Sequence, residues 1–221
     1  MGTASAARPG ILEADGHAVV SHVSWDTYVR LLADDEGRIV PRMTYDQGVL
    51  ELVTPSMPHD ESARTLAIFV VIASGLLGIP IRDVGSTTFR RDDLERAFEG
   101  DGAFYIQHAP QIRGKRSVDL SHDPPPDLVI EMEFSRSALD KLPLFASMGI
   151  PEVWRCDGER VVFYVLAGNA YEESSRSQAL PPLTSEVLTQ FLQSSRTMLS
   201  TEWQKAIHTW VQDQHSESAG S

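Results

Sequence analysis

Residues 124–134 read PPPDLVIEMEF, and this run constrains the fold more than any other. Three prolines cannot donate to a strand ladder, so the regular element begins after them. Residues 127–134 then alternate. Asp127, Val129, Glu131 and Glu133 point to one face of a strand, and Leu128, Ile130, Met132 and Phe134 to the other. A helical pattern over residues 136–148 follows and ends at Gly149, after which EVWRCD starts a second strand. A strand–helix–strand unit of this size predicts a parallel pair joined by a right-handed crossover. The fold class is therefore α/β, with a mixed sheet flanked by helices.

The remaining pattern fits that class. Ser24 precedes WDTYVRLLADD and caps a helix. VPRMTY and VLELVT, joined by Asp46, Gln47 and Gly48, predict a β-hairpin with Glu51 on the face opposite Leu50 and Leu52. Leu66, Phe69, Val70 and Ala73 share the face of a helix over residues 59–77. IRDVGSTTF predicts one strand, the charged residues 90–102 a loop, AFYIQ a short strand, and residues 108–125 a loop with at most one strand. RVVFYVL pairs with EVWRCD across Asp157 and Gly158, and two helices near residues 185–193 and 201–212 complete the chain. One domain is expected over residues 21–214, with a loose arm over 1–20 and a frayed tail over 215–221.

The single cysteine, Cys156, cannot form an internal disulfide, which suits a reducing compartment. The longest apolar stretch, residues 66–81, is broken by Ser74, Gly75 and Gly78 and falls short of the roughly 20 residues a bilayer span needs. No signal-peptide pattern opens the chain. A soluble, cytoplasmic protein is the expectation. A formal net charge of −12 counts against a broad electropositive surface. A nucleic acid would have to meet a local basic patch. Arg90, Arg91, Arg113, Lys115, Arg116, Arg136 and Lys141 are the basic residues nearest the acidic strands in sequence. Phosphate-cradling, dinucleotide, nucleophile-elbow and HExxH zinc motifs are absent.

Three carboxylates on one strand face are costly unless cations compensate them. A hard divalent cation suits such oxygen ligands. The alternative is an edge strand whose acidic face is solvated.

Three stretches, YDQGVLELVTPSMPHD, DGAFYIQH and DPPPDLVIEMEFSRSALDKLPLFASMGIPEVWRCDG, resemble the Uma2 family of restriction-endonuclease-like proteins, a branch of the PD-(D/E)XK nucleases abundant in bacteria. They span residues 45–158. The resemblance implies a restriction-endonuclease-like sheet and a DNA endonuclease dependent on Mg²⁺ or Mn²⁺. It implies metal ligands at Asp101, at Glu131 and at the backbone carbonyl of Met132. Asp101 follows Gly100 where the family has proline, and Glu133 stands at the usual lysine position, so the lysine is implied on the next helix as Lys141. Asp127, Glu51 and His59 fall on further matching positions. Each has a structural alternative: Asp127 as a cap at the strand entrance, His59 as a first-turn helix residue, Glu51 and Lys141 as solvated surface.

Two other functions compete. One is a degenerate nuclease fold acting as a binding or assembly module. The other is a carboxylate hydrolase of a small phosphorylated substrate, which has no motif of its own. A homodimer is expected for a small enzyme that cuts both DNA strands. Trp203, Ile207 and Trp210 share a helical face that could form its interface or pack internally.

Overall fold

The computed structural model describes residues 16–34, 41–134 and 139–219. Two sheets organise them. The first holds β1 (Gly16–Ser21), β2 (Arg42–Asp46), β3 (Val49–Thr54), β5 (Thr88–Arg91) and β6 (Arg96–Glu99), in the order β1-β3-β2-β6-β5, all antiparallel. The second holds β4 (Arg82–Asp83), β7 (Gly102–Tyr105), β8 (Leu128–Met132), β9 (Glu152–Cys156), β10 (Val161–Ala167) and β11 (Ala170–Ser174), in the order β11-β10-β9-β8-β7-β4. Only β8 and β9 run parallel, with Glu131 beside Arg155. That is the pair expected from the strand–helix–strand unit.

The helices are α1 (Trp25–Asp34), α2 (Met57–Leu76), the short α3 (Ala109–Ile112), α4 (Lys141–Ser147), α5 (Ser185–Ser195) and α6 (Ser200–Ala219). No helix among the described residues is long and apolar enough to cross a membrane. One face of the second sheet presents Leu128, Ile130 and Trp154 to Leu66, Phe69 and Val70 of α2 and to α5 and α6. The opposite face presents Val129 and Val153 to Phe145 of α4 and to Phe89 and Phe98 of the first sheet. β8 is thus interior and covered on both faces. The edge-strand alternative fails, because β7 and β9 occupy its two sides.

Several boundaries differ from the pattern reading. The β2–β3 hairpin turns on two residues, Gln47 (φ 44°) and Gly48 (φ 100°), whose positive φ values match the twist of the flanking strands. The charged stretch expected as a loop forms β5 and β6. Its charges pair along the rim as Arg90–Asp92 and Arg91–Asp93, while Phe89 stacks on Phe98 beneath them. IRDVGSTTF is two strands in different sheets, because the chain turns at Gly85 (φ 61°). β1 begins at Gly16, within the expected loose arm, and pairs with β3, and α6 continues through the expected tail to Ala219. The 136–148 helix is described from Lys141, and its expected start, Arg136 included, lies outside the described residues.

Trp203 and Ile207 are buried and Trp210 packs beside them, all against the α2–α5 core. Trp203 donates its indole N–H to the Phe191 carbonyl at 2.8 Å. That face is internal, so it is not an interface between copies.

Candidate active site

The chain passes from the first sheet to the second through α2, and then crosses directly between the sheets twice, at Gly85 and again after β6. At the second crossing Gly100 passes so close to β8 that a Cβ there would sit 3.1 Å from Val129 Cγ1. A side chain at 100, the proline of the family pattern included, would press on the core. Asp101 follows directly and is held by two backbone contacts to β8. Its N–H donates to the Ile130 carbonyl at 3.0 Å, and its Oδ2 accepts from the Met132 N–H at 2.7 Å. The Asp101 carboxylate therefore lies against the peptide that joins Glu131 to Met132. In an extended strand one residue's N–H and C=O project to the same side, so the Met132 carbonyl projects toward Asp101 as well.

Around this point the two sheets and two helices supply charge. His59, in the first turn of α2, places Nε2 2.7 Å from Asp101 Oδ1, and its ring stacks on Phe134 at 5.6 Å. Arg42, which opens β2, ion-pairs with the same Oδ1 through one guanidinium nitrogen and reaches Asp60 Oδ1 at 3.1 Å with another. On the other side, Lys141 at the start of α4 donates to Glu131 Oε1 at 2.5 Å and lies 3.6 Å from Glu51 Oε2. Glu51 is fully buried, Glu131 is 7% exposed and Lys141 11%. Burial pulls the Lys141 ammonium toward a lower pKa, but the Glu131 and Glu51 carboxylates together outweigh it and hold the pKa above the ordinary lysine value. In this arrangement Lys141 is a charged donor rather than a base.

Arg42, His59, Asp101, Glu131, Phe134 and Lys141 line one cavity of about 30 Å³, with further contributions from β1, β3, β6 and β9. That is room for one or two water molecules. A nucleotide cannot enter it, so a polymeric substrate would lie across its mouth.

Asp101, Glu131, Met132, Lys141, Glu51 and His59 are thus brought together. Asp127 is not. It stands four residues before Glu131, about 13 Å along the strand. Its carboxylate accepts from the Ile106 N–H at 2.6 Å and the His108 N–H at 3.1 Å, and contacts His108 Nδ1 at 2.6 Å. It ties down the loop leaving β7, which corrects its assignment to the site. Glu133 pairs with Arg155 at 3.2 Å near the cavity mouth. Arg113, Lys115 and Arg116 are exposed beyond α3. The Lys115 carbonyl accepts from Arg82, whose strand partner is Tyr105, so the basic loop lies toward the end of β7 opposite Asp101.

Pattern reading missed Arg42, His17 and Arg155. Arg155 carried a visible signal, the lone cation of β9. Arg42 carried none, because only the meeting of the two sheets sets it beside Asp101.

The Uma2 family, described as "Putative restriction endonuclease", matches residues 25–198. The chain belongs to the Uma2 family. A crystal structure described as a "putative nuclease belonging to DUF820", from Anabaena variabilis ATCC 29413, aligns with a TM-score of 0.50 at 17% identity. The alignment covers 86% of this chain and 99% of that one. At that identity the likeness shows the fold alone, shared across most of both chains. No match was found among curated proteins. Glu133 rather than a lysine stands two residues after Glu131, and Lys141 reaches Glu131 from the following helix.

Proposed function

We propose that the protein hydrolyses DNA phosphodiester bonds at the seam between its sheets, with a divalent cation, Mg²⁺ or Mn²⁺, held by Asp101, Glu131 and the Met132 carbonyl. The observation that supports this reading is the approach of Asp101 to the Glu131–Met132 peptide beside a cavity sized for water. Among the described residues no three His, Cys, Asp or Glu side chains form a metal-holding group. A Mg²⁺ site does not require three. That ion is commonly bound through one or two carboxylates, keeps several waters and prefers oxygen ligands. The donor set therefore fits.

When bound, such an ion polarises the phosphoryl oxygens and lowers the pKa of its water. The protein's own groups do the rest. Glu131 and Asp101 supply oxygen ligands from a backbone locked in the second sheet. Lys141, a cation held by two carboxylates, donates to a water in the cavity and offsets the charge that builds on the phosphate. His59 orients Asp101 by donating from Nε2, and the Phe134 ring holds the imidazole in place.

The test is supercoiled plasmid with Mg²⁺ or Mn²⁺, with and without chelator, for wild type and Glu131→Ala. Nicking or linearisation is expected from the wild type with metal alone. Cleavage that persists in Glu131→Ala would remove the reading. One observation favours the binding-module alternative: donors already crowd Asp101. Metal-dependent DNA binding without cleavage by the wild type would select it. Cutting both strands calls for two sites, so a symmetric homodimer belongs to this proposal, through a face other than that of α6. Light scattering from a monomer at micromolar concentration would count against it.

A further inference from the structure

Asp101 Oδ1 faces two donors at once. His59 Nε2 lies 2.7 Å from it, and the Arg42 guanidinium ion-pairs with it. Arg42 NH1 is also 3.0 Å from that same Nε2. A guanidinium can only donate. An imidazole nitrogen that donates to Asp101 cannot also accept from Arg42, so the two cannot form a cooperative chain. They compete for one oxygen. With Oδ2 taken by the Met132 N–H, the carboxylate has little left to offer a metal ion while Arg42 stays in place. Arg42 is the more exposed party. His59 and Asp101 are buried, whereas the Arg42 side chain is 22% exposed. It also borders both the small cavity and a wide groove along the first turns of α2 that includes Asp60 and Arg64. Its second anionic partner, Asp60, lies out in that groove.

We infer that Arg42 is an exchangeable counter-ion: in the free protein it neutralises Asp101 in the cation's stead, and in the substrate complex it contacts the scissile phosphate at the cavity mouth. This rests on the metal-nuclease reading above. The chemistry suits arginine. Its planar fork grips carboxylate and phosphate alike, and it is more weakly hydrated than an ammonium. Its place at the junction of groove and cavity lets one side chain reach either anion without backbone movement.

The test compares wild type, Arg42→Ala and Arg42→Lys. Mn²⁺ binding is measured by calorimetry without DNA, and plasmid cleavage is measured separately. Removing a competing charged donor should tighten Mn²⁺ binding by about tenfold in Arg42→Ala. Losing a phosphate contact made in the transition state should lower kcat by about a hundredfold. Arg42→Lys keeps the charge but not the fork, so it should bind Mn²⁺ nearly as weakly as wild type and recover only part of kcat. Mn²⁺ affinity unchanged in Arg42→Ala overturns the inference, as does a kcat within twofold of wild type. A wild type that binds Mn²⁺ but never cuts DNA overturns the nuclease reading instead. The Mn²⁺ comparison then still decides whether Arg42 holds the cation's place.

Discussion

Lys141→Met is expected to destabilise the protein far more than an ordinary surface lysine would. The ammonium lies between Glu131 Oε1 at 2.5 Å and Glu51 Oε2 at 3.6 Å, and all three side chains are nearly or wholly shielded from water. The substitution keeps the volume and removes the charge, which leaves two carboxylates buried together. Breaking a buried pair by removing one partner costs about 3–5 kcal/mol, because the remaining charge stays buried after its nearest cation is gone. For a chain of this length each kcal/mol moves Tm by about 2–4 °C, so a fall of about 6–20 °C is expected. Urea unfolding and thermal melts followed by circular dichroism would measure it at neutral pH without divalent metal. The double variant Lys141→Met with Glu131→Gln should recover more than half of the loss, since one buried charge goes with its partner. A single-variant loss below about 1 kcal/mol, the range of a solvent-screened pair, would refute the argument.

Asp127→Asn is expected to lower stability by about 2 kcal/mol through its bonds to Ile106 and His108, while kcat for DNA changes by less than about threefold; a large kcat loss would return Asp127 to the site. Gly158→Ala places a Cβ 2.8 Å from the Phe134 ring at a φ of 93°, so a loss of about 1–3 kcal/mol is expected. Weaker activity should accompany it, because Phe134 stacks on His59. Burial pushes the Cys156 thiol from 9.0 up to about 11. Disulfide-exchange reagents should therefore label it only on unfolding, and denaturation midpoints should hold below pH 9 and fall as pH rises toward 11, because the unfolded thiol ionises first. Reversing Arg113, Lys115 and Arg116 to glutamate should raise KM and flatten the salt dependence of DNA binding while sparing kcat; lost kcat would mean that the loop reaches the reacting phosphate.

What the sequence made legible follows from how far each signal travels along the chain. The alternation of residues 127–134 predicted a strand, the following helix predicted a parallel partner, and β8 and β9 have that relation. Alternation within one strand says nothing about the strand's neighbours. The same pattern that fitted a solvated acidic edge belongs to an interior strand whose Val129 packs on Phe145 and Phe98. The charge-rich stretch at 90–99 misled for a related reason. Charges paired along a hairpin rim look like a loop unless the buried Phe89 and Phe98 are given more weight than their neighbours.

The site follows the same division. Glu131 and Lys141 were legible because they belong to one strand–helix unit, and Asp127 was misplaced because it shares that unit but sits at the wrong end of the strand. Arg42, His59 and Glu51 meet Asp101 and Lys141 only because the chain crosses from one sheet to the other at Gly100. That crossing also bears on how, under the proposed function, an acidic protein with a net charge of −12 would meet a polyanion. The two carboxylates that would hold metal each face basic side chains, Asp101 facing Arg42 and His59, and Glu131 facing Lys141; Glu133 nearby pairs with Arg155. Under that proposal a phosphate at the mouth would meet carboxylates largely offset by Arg42, Lys141 and Arg155, and an incoming divalent cation would tip the sign toward attraction. If the balance were set by the whole chain rather than by these pairs, neutralising distant acidic residues would raise DNA affinity as much as adding metal does.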